Sequence, residues 1–354
     1  MRRTPIAPLV LAALFALAPA ARAEYGGFAV GYNQAWFRGD YGSDLTARFD
    51  PIAADLLFQN IALSGGQIVR MWIFEGNQKE GLLFTERTRT RGLVPGFLDN
   101  IERVCESARK SGLKIYWTVF DGNWFWERND FAAHVHYNIL NNRWAEGDSF
   151  NYNALGPVLD VLARNQDTLF ALDLMNEVEG SIAKWFWPDG WIGARRWIRS
   201  TCAFVKSRAP FLRVTASAGW ASGPTDLTAG RFSGLGLDFF DLHLYNDAGN
   251  IPLSFPLRML SWRTGRPILL GEFGQSSPRM DDALQSRAAE RFLANARALG
   301  FIGALGWRFD DERPWDPQFV PYLSFRRNGR PRPAVAVIQA AAREPWATND
   351  PWWW

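Results

Sequence analysis

The sequence predicts a single (β/α)8 TIM barrel, an α/β fold with long loops on the C-terminal face of its sheet. Three observations predict it. Short apolar runs alternate with amphipathic stretches, the rhythm of parallel strands joined by helices. Eight such runs follow one another, the number that closes a barrel. The chain has 354 residues, 47% of them hydrophobic and 21% charged. That is enough for one large core, since such a barrel takes about 250 residues and tolerates insertions.

The elements follow in chain order. Residues 1–23 read as a signal peptide: Arg2 and Arg3 give a positive start, Leu9 to Leu17 an apolar stretch, and Ala21-Arg22-Ala23 a small-x-small cleavage site. The mature protein is therefore expected to be exported, to the periplasm or beyond, with no membrane span in its remaining length. Residues 24–345 carry the barrel. Its predicted strands are Phe28–Tyr32, Gln67–Phe74, Lys114–Phe120, Leu169–Met175, Arg213–Ser217, Phe239–Leu244, Ile268–Glu272 and Ala304–Phe309. The amphipathic stretches between them predict helices over Pro51–Leu63, Val94–Lys110, Asn153–Arg164, Trp191–Ser207 and Asp281–Leu299, with Gly112 and Gly300 as C-caps. Two connections are long, Asp121 to Phe150 after the third strand and Arg308 to Arg332 after the eighth. Loops after strands form the working face of such a barrel. Residues 346–354 form a Trp-rich tail with no assigned role.

The formal charge of +3 points to neither nucleic acid nor an anionic membrane surface. No Cys/His spacing resembles a metal site, and no cofactor motif is present. Cys105 and Cys202 fall in separate helical patterns and are expected to be buried free thiols. Aromatic residues make up 15% of the chain, 18 of them Trp, an excess that suits sugar binding as well as core packing.

The chemistry lies at two strand ends. Ala171-Leu172-Asp173-Leu174-Met175 is an apolar run that stops at Asn176-Glu177, and Pro267-Ile268-Leu269-Leu270-Gly271 stops at Glu272. A carboxylate that ends a buried strand needs a special reason to be there. Cleaving a glycosidic bond with retention needs one carboxylic acid to protonate the leaving oxygen and one carboxylate to attack the anomeric carbon. Glu177 is assigned as acid/base and Glu272 as nucleophile. Glu75, Glu127, Asp247, Asp310 and Asp311 also follow strand ends, and at most one or two of them are expected to reach substrate.

This ordered set resembles the glycoside hydrolase clan A barrels, and most closely family 5, the cellulase and mannanase family. The family pattern is matched by Arg70 in Ile68-Val69-Arg70-Met71-Trp72, by Asn176-Glu177, by His243-Leu244-Tyr245, by Glu272 and by Trp307. The resemblance implies that Arg70 keeps the nucleophile ionised and Asn176 bonds the sugar's 2-hydroxyl. It also implies that Tyr245 orients Glu272, His243 lines the pocket beside the acid/base, and Trp307 forms the floor under the reacting sugar. One departure stands out. Members commonly carry a His near the end of the third strand, where this chain offers Asp121 and Asn123 instead, followed by Trp124. Asp121 and Trp124 are taken as further substrate contacts; His134 and His136 lie in the loop beyond.

The resulting expectation is a monomeric, cofactor-free hydrolase of a β-linked polysaccharide or oligosaccharide, of β-glucan or β-mannan type. Endo and exo action stay open. Transglycosylation uses the same residues, and a non-catalytic barrel that binds exopolysaccharide is the alternative reading.

Overall fold

The structure is a computed structural model that describes residues 27–35, 45–46, 49–74, 81–85, 89–123, 149–183, 190–310 and 321–344. The signal segment, the Trp-rich tail, Trp124, His134, His136, Glu75, Glu127 and Asp311 lie outside these residues.

Parallel pairing builds the barrel. Strands β1 (Ala29–Asn33) and β2 (Ile68–Trp72) are followed by a hairpin, β3 (Leu82–Phe84) with β4 (Thr90–Leu93), that stands apart from the main sheet. The sheet continues with β5 (Lys114–Asp121), β6 (Leu169–Asn176), β7 (Val214–Thr215), β8 (Ser217–Ala218), β9 (Phe240–Tyr245), β10 (Ile268–Gly274) and β11 (Gly303–Gly306). A second hairpin, β12 (Arg326–Arg327) with β13 (Arg330–Pro331), comes last. The strand order β7-β6-β5-β2-β1-β11-β10-β9-β8 makes nine segments. Its two ends, β7 and β8, are halves of one extended stretch joined at Ala216. The sheet therefore meets itself there, and nine segments make eight staves.

Period-2 alternation sorts side chains between two cores. Val30, Tyr32, Val69, Met71, Leu172, Leu242, Leu270 and Phe273 point outward into the large core beneath the helices. Ile68, Tyr116, Phe170, Phe239, Leu269 and Leu305 point inward and plug the N-terminal half of the barrel. Within that plug the rings of Tyr116, Phe170 and Phe239 lie 5.8–6.1 Å apart, pair by pair.

The helices form where the sequence supplies both a cap and an apolar stripe. In α1 (Pro51–Leu63), Asp50 accepts from the Ile52 and Ala53 amides and Pro51 opens the first turn. In α2 (Phe97–Ser111), Phe97, Ile101, Val104, Cys105 and Ala108 fall on one face, and Gly112 ends the helix at φ 68°. Next come α3 (Gly156–Arg164), led in by a π-helical turn over Asn151–Leu155, then α4 (Val178–Ala183) and α5 (Trp191–Arg208). The set closes with α6 (Gly223–Thr228), α7 (Ser254–Thr264), α8 (Asp282–Ala298) and α9 (Ala334–Arg343). Cys105 and Cys202 are buried and free, as the sequence suggested. No described helix is long and apolar enough to cross a membrane.

Several expected boundaries move. The fifth strand is split at Ala216, and the eighth ends at Gly306 rather than Phe309. Beyond Gly306 the amides still find partners, Trp307 on the Phe273 carbonyl (2.9 Å) and Phe309 on that of Asn33 (2.9 Å). The chain is therefore tied to the barrel rim without being in the ladder. The helix after strand seven caps at Leu299, one residue before Gly300.

One irregularity decides where a carboxylate points. Between β9 and β10 the register shifts, Leu270 pairing with Leu242 and Glu272 with His243, so Gly271 is the extra residue of a bulge. Leu269 faces in and Leu270 out; strict alternation would send residue 272 outward into the helix layer. The bulge turns it back inward. Gly271 is required because a Cβ there would stand 2.0 Å from Asp241 Oδ1. Gly271→Ala is expected to cost about 1–3 kcal/mol through overpacking, measured by urea denaturation. A midpoint equal to that of the wild type would show that the bulge accepts a side chain.

Candidate active site

Above the apolar plug the inward positions turn polar. Arg70 stands between Ile68 and Trp72 on β2, and Asp241, His243 and Tyr245 alternate along β9 above Phe239. Asp173 interrupts the apolar run of β6. These groups are taken out of water, so each needs a partner.

Arg70 supplies most of them. It is 0% exposed. Its Nη1 donates to Glu272 Oε1 (2.7 Å) and Asn33 Oδ1 (3.1 Å). Its Nη2 donates to Asp173 Oδ2 (2.6 Å) and Asn176 Oδ1 (2.8 Å). Asp173 also takes the Ser217 hydroxyl (3.1 Å) and the Met175 amide (3.0 Å). The planar guanidinium fork suits this bidentate work as an ammonium would not.

Glu272 arrives on the bulge of β10. Beside Arg70 it receives a hydrogen bond from the Tyr245 hydroxyl on Oε2. Glu177 arrives differently, on a left-handed turn at φ 45° just past β6. This is a costly conformation for a residue with a side chain. The Glu177 amide donates to Ser217 Oγ (2.9 Å), which helps hold the turn. Asn123 Nδ2 donates to Glu177 Oε2 (2.6 Å), and Trp220 Nε1 donates to Asn123 Oδ1 (2.6 Å). The Glu177 side chain lies against Gly219, where a Cβ would come within 2.4 Å of its carboxyl carbon.

His243 bridges the two carboxylates. Its Nδ1 is 3.2 Å from Glu177 Oε1 and 3.5 Å from Glu272 Oε1, and its Nε2 is 3.6 Å from Asp241 Oδ2. Burial alone would lower its pKa, but Glu272, Asp241 and Glu177 around it push it up to about 10. Burial likewise works to raise Glu177, yet His243 and Asn123 outweigh it and hold that carboxyl below its usual value. At Glu272 burial prevails over His243 and Arg70, and the value is raised. Burial pushes Asp121 up to about 7, against hydrogen bonds from Asn176 and the Asn123 amide.

One donor atom from each of Glu177, His243 and Glu272 lies within 4.8 Å of the others. The His243 ring therefore stands between the two carboxylates, and its raised pKa favours the protonated form there.

The structure thus brings together Arg70, Asn176, Glu177, His243, Tyr245 and Glu272. Asn176 Nδ2 donates to Asp121 Oδ1 (2.8 Å), which places Asp121 behind Asn176. Trp307 is half-buried beside Trp72, ring centroids 6.1 Å apart, and its peptide bond to Arg308 is cis. Two acidic candidates serve elsewhere: Asp247 accepts from the Ser276 and Ser277 amides, both at 2.9 Å, and Asp310 pairs with Arg326 (3.3 Å). Sequence reasoning missed Asn33, Asp173, Ser217, Trp220 and Asp241. Asp173 and Asp241 had a usable signal, a charge inside an apolar strand two or four residues before a site residue.

No protein-family model and no curated protein matches the chain. Solved structures do resemble it. A β-1,4-D-mannanase from Cryptopygus antarcticus superimposes with a TM-score of 0.67 at 17% identity, over 91% of this chain and 92% of that one. An endo-1,4-β-mannanase from Eisenia fetida gives 0.66 at 17% identity, over 91% and 93%. GH5_18 from Streptomyces cattleya in complex with Manβ1-4GlcNAc gives 0.68 at 17% identity, over 92% and 82%. At these identities the likeness establishes the fold, the (β/α)8 barrel expected from the sequence.

The buried charges set two expectations. Arg70→Met leaves Asp173 and Glu272 without their cation, and the expected loss is on the order of 3–5 kcal/mol, seen as a lower urea midpoint. A midpoint within error of the wild type would remove Arg70 as the anchor. For Asp121, the folded state keeps the proton up to about 7 while the free side chain loses it near 3.8. Stability tied to this group therefore falls as pH rises through that window. Asp121→Asn should flatten the fall in melting temperature, and an unchanged slope would exclude Asp121 as its source.

Proposed function

We propose that this chain is an exported, retaining β-glycoside hydrolase of the family 5 type, acting on a β-mannan or mannose-containing oligosaccharide. The observation that carries the reading is the facing pair Glu177 and Glu272, with carboxylate atoms within 4.8 Å. Retaining enzymes space their carboxyl groups about 5–5.5 Å apart, and inverting enzymes about 6.5–9.5 Å, to admit a water.

Environment divides the roles. Two donors, Arg70 and Tyr245, converge on Glu272, so its ionised form keeps both hydrogen bonds and serves as nucleophile. Glu177 has a proton source instead, the His243 Nδ1–H at 3.2 Å. When sugar fills the cleft it takes the remaining water from the Glu177 carboxylate, the one member of the ion pair with any exposure, and the neutral form of the pair is favoured. The proton then passes from Nδ1 to Oε1, leaving a neutral imidazole whose Nε2–H faces Asp241. Neutralising Glu177 also removes a like charge that raises Glu272.

Glu272 attacks the anomeric carbon, the C–O bond breaks, and the leaving oxygen takes the Glu177 proton. A water then gives its proton back to Glu177 as its oxygen displaces Glu272. Asn176, fixed by Arg70 and Asp121, has a second amide hydrogen for the sugar's 2-hydroxyl, and Trp307 supplies an aromatic face.

The mannan preference is supported by the names of the structures the chain resembles; a β-glucan is the next candidate. Export rests on the leader-like residues 1–23. Both carboxylates are in place, so a binding barrel without turnover has no observation in its favour.

The test is reducing-end release from β-mannans, β-glucans and bacterial exopolysaccharides, with Glu272→Gln beside the wild type. Release by the wild type, reduced on the order of 10³-fold or more in Glu272→Gln, is the expected result. Substantial turnover by Glu272→Gln rejects it as nucleophile. Azide should rescue Glu177→Ala on an activated aryl glycoside, and failure to do so would reject Glu177 as the acid/base.

A further inference from the structure

Glu179 is a second carboxyl beside the acid/base, and neither the glycosyl transfer nor the proton transfers pass through it. It sits in α4, two residues after Glu177, and is 6% exposed. Its Oε2 accepts from the Gly219 amide (3.0 Å). Its Oε1 is buried and meets no hydrogen-bond partner among the described residues. Leaving one oxygen of a buried acid unpaired is costly, and a surface-facing Gln or an apolar residue would avoid that cost. The position therefore calls for a reason.

The Gly219–Trp220 turn that Glu179 grips supplies one. Gly219 lies directly against the Glu177 carboxyl. Trp220, next in the chain and itself in the left-handed region at φ 54°, donates to Asn123, and Asn123 donates to Glu177. One hydrogen bond accepted by Glu179 thus bears on both flanks of the acid/base, the Gly219 contact and the Asn123 bond. We propose that Glu179 is a positioning residue for Glu177, acting through the Gly219–Trp220 turn. The inference rests on the reading of Glu177 as the acid/base.

The charge environment agrees with the geometry. Among the described residues, Glu177 and Asp226 of α6 act on Glu179 as like charges. Burial first, and these two like charges after it, push Glu179 up to about 8, against the pull of the Gly219 amide. Below that pH Glu179 adds no negative charge beside Glu177. Above it, the ionised Glu179 adds one, and the pair of Glu177 and His243 holds its proton more tightly.

The test uses the full chain with Glu179→Leu and Glu179→Gln on two aryl β-glycosides, one with a good leaving group that needs no acid and one with a poor one that does. Glu179→Leu removes the acceptor for the Gly219 amide. On the poor leaving group its kcat/KM should fall on the order of 10- to 100-fold, the scale of a small misplacement of a catalytic group, with far less loss on the good one. Glu179→Gln keeps an acceptor oxygen and should recover most of the loss. Because Gln cannot ionise, the alkaline limb of its pH profile should lie lower than that of the wild type.

Equal losses on both substrates, or a full loss retained in Glu179→Gln, would make Glu179 a packing residue and overturn the proposal. If Glu179→Leu does not fold, an alkaline limb that is the same in Glu179→Gln and wild type overturns it alone. A wild type that cleaves no glycoside would take the hydrolase reading with it; an active wild type with unselective losses would take only this one.

Discussion

A guanidinium that reaches no water dictates most of this site. Arg70 is one cation among buried acceptors drawn from β1, β6 and β10; of the two anions it touches, Asp173 and Glu272, the second is also approached by His243 at 3.5 Å. In a low-dielectric interior an unpaired charge is expensive and a well-made ion pair is a rigid object. The strands are therefore registered to one another by this network as well as by the ladder. The apolar plug of Tyr116, Phe170 and Phe239 closes the barrel beneath it, so solvent cannot reach these charges from the N-terminal side.

The two carboxylates on top are delivered by opposite devices. Glu272 belongs to a strand paired on both sides and is aimed by a single extra residue, Gly271. Glu177 has left its strand and is aimed by a left-handed turn, a serine hydroxyl and an asparagine amide. A nucleophile must lie in line with one carbon atom. An acid must reach an oxygen whose position changes as the bond lengthens and must then accept a proton from water. Strand-borne and turn-borne placement match those two demands if Glu272 and Glu177 hold the roles proposed for them.

Much of this was legible in the sequence because it depends on period. Eight apolar runs read as eight staves because alternation and chain rhythm are local properties, and Glu177 and Glu272 were visible because a charge ending an apolar run is rare. The Gly271 bulge was not visible: a glycine before a strand-end Glu reads equally well as ordinary strand. The split at Ala216 escaped because Val214 to Ala218 contains no Gly, Pro or charged residue to mark it; the division reflects which neighbour each half pairs with. Asp173 was absorbed into the apolar run around it, since its partner Arg70 lies 103 residues away. Asn123 registered only as a departure from the family pattern. Its bond to Glu177 depends on loops converging from β5, β6 and β8, which no spacing along the chain encodes.

The split stave has a mechanical consequence. The longest ladders join β5 with β6 and β9 with β10, six residue pairs each. The closing stave matches only two with β6 and two with β9, so it is short on both sides, whereas β10 has a two-pair joint with β11 on one side only. A hoop yields first at a stave that is weakly joined on both sides. Here that stave runs directly below Gly219 and Trp220, beside Glu177, while Glu272 stands on a strand with one long ladder. Elastic give is thus expected on the side where the proposed proton transfer would follow a moving oxygen, and the proposed nucleophile keeps the firmer footing.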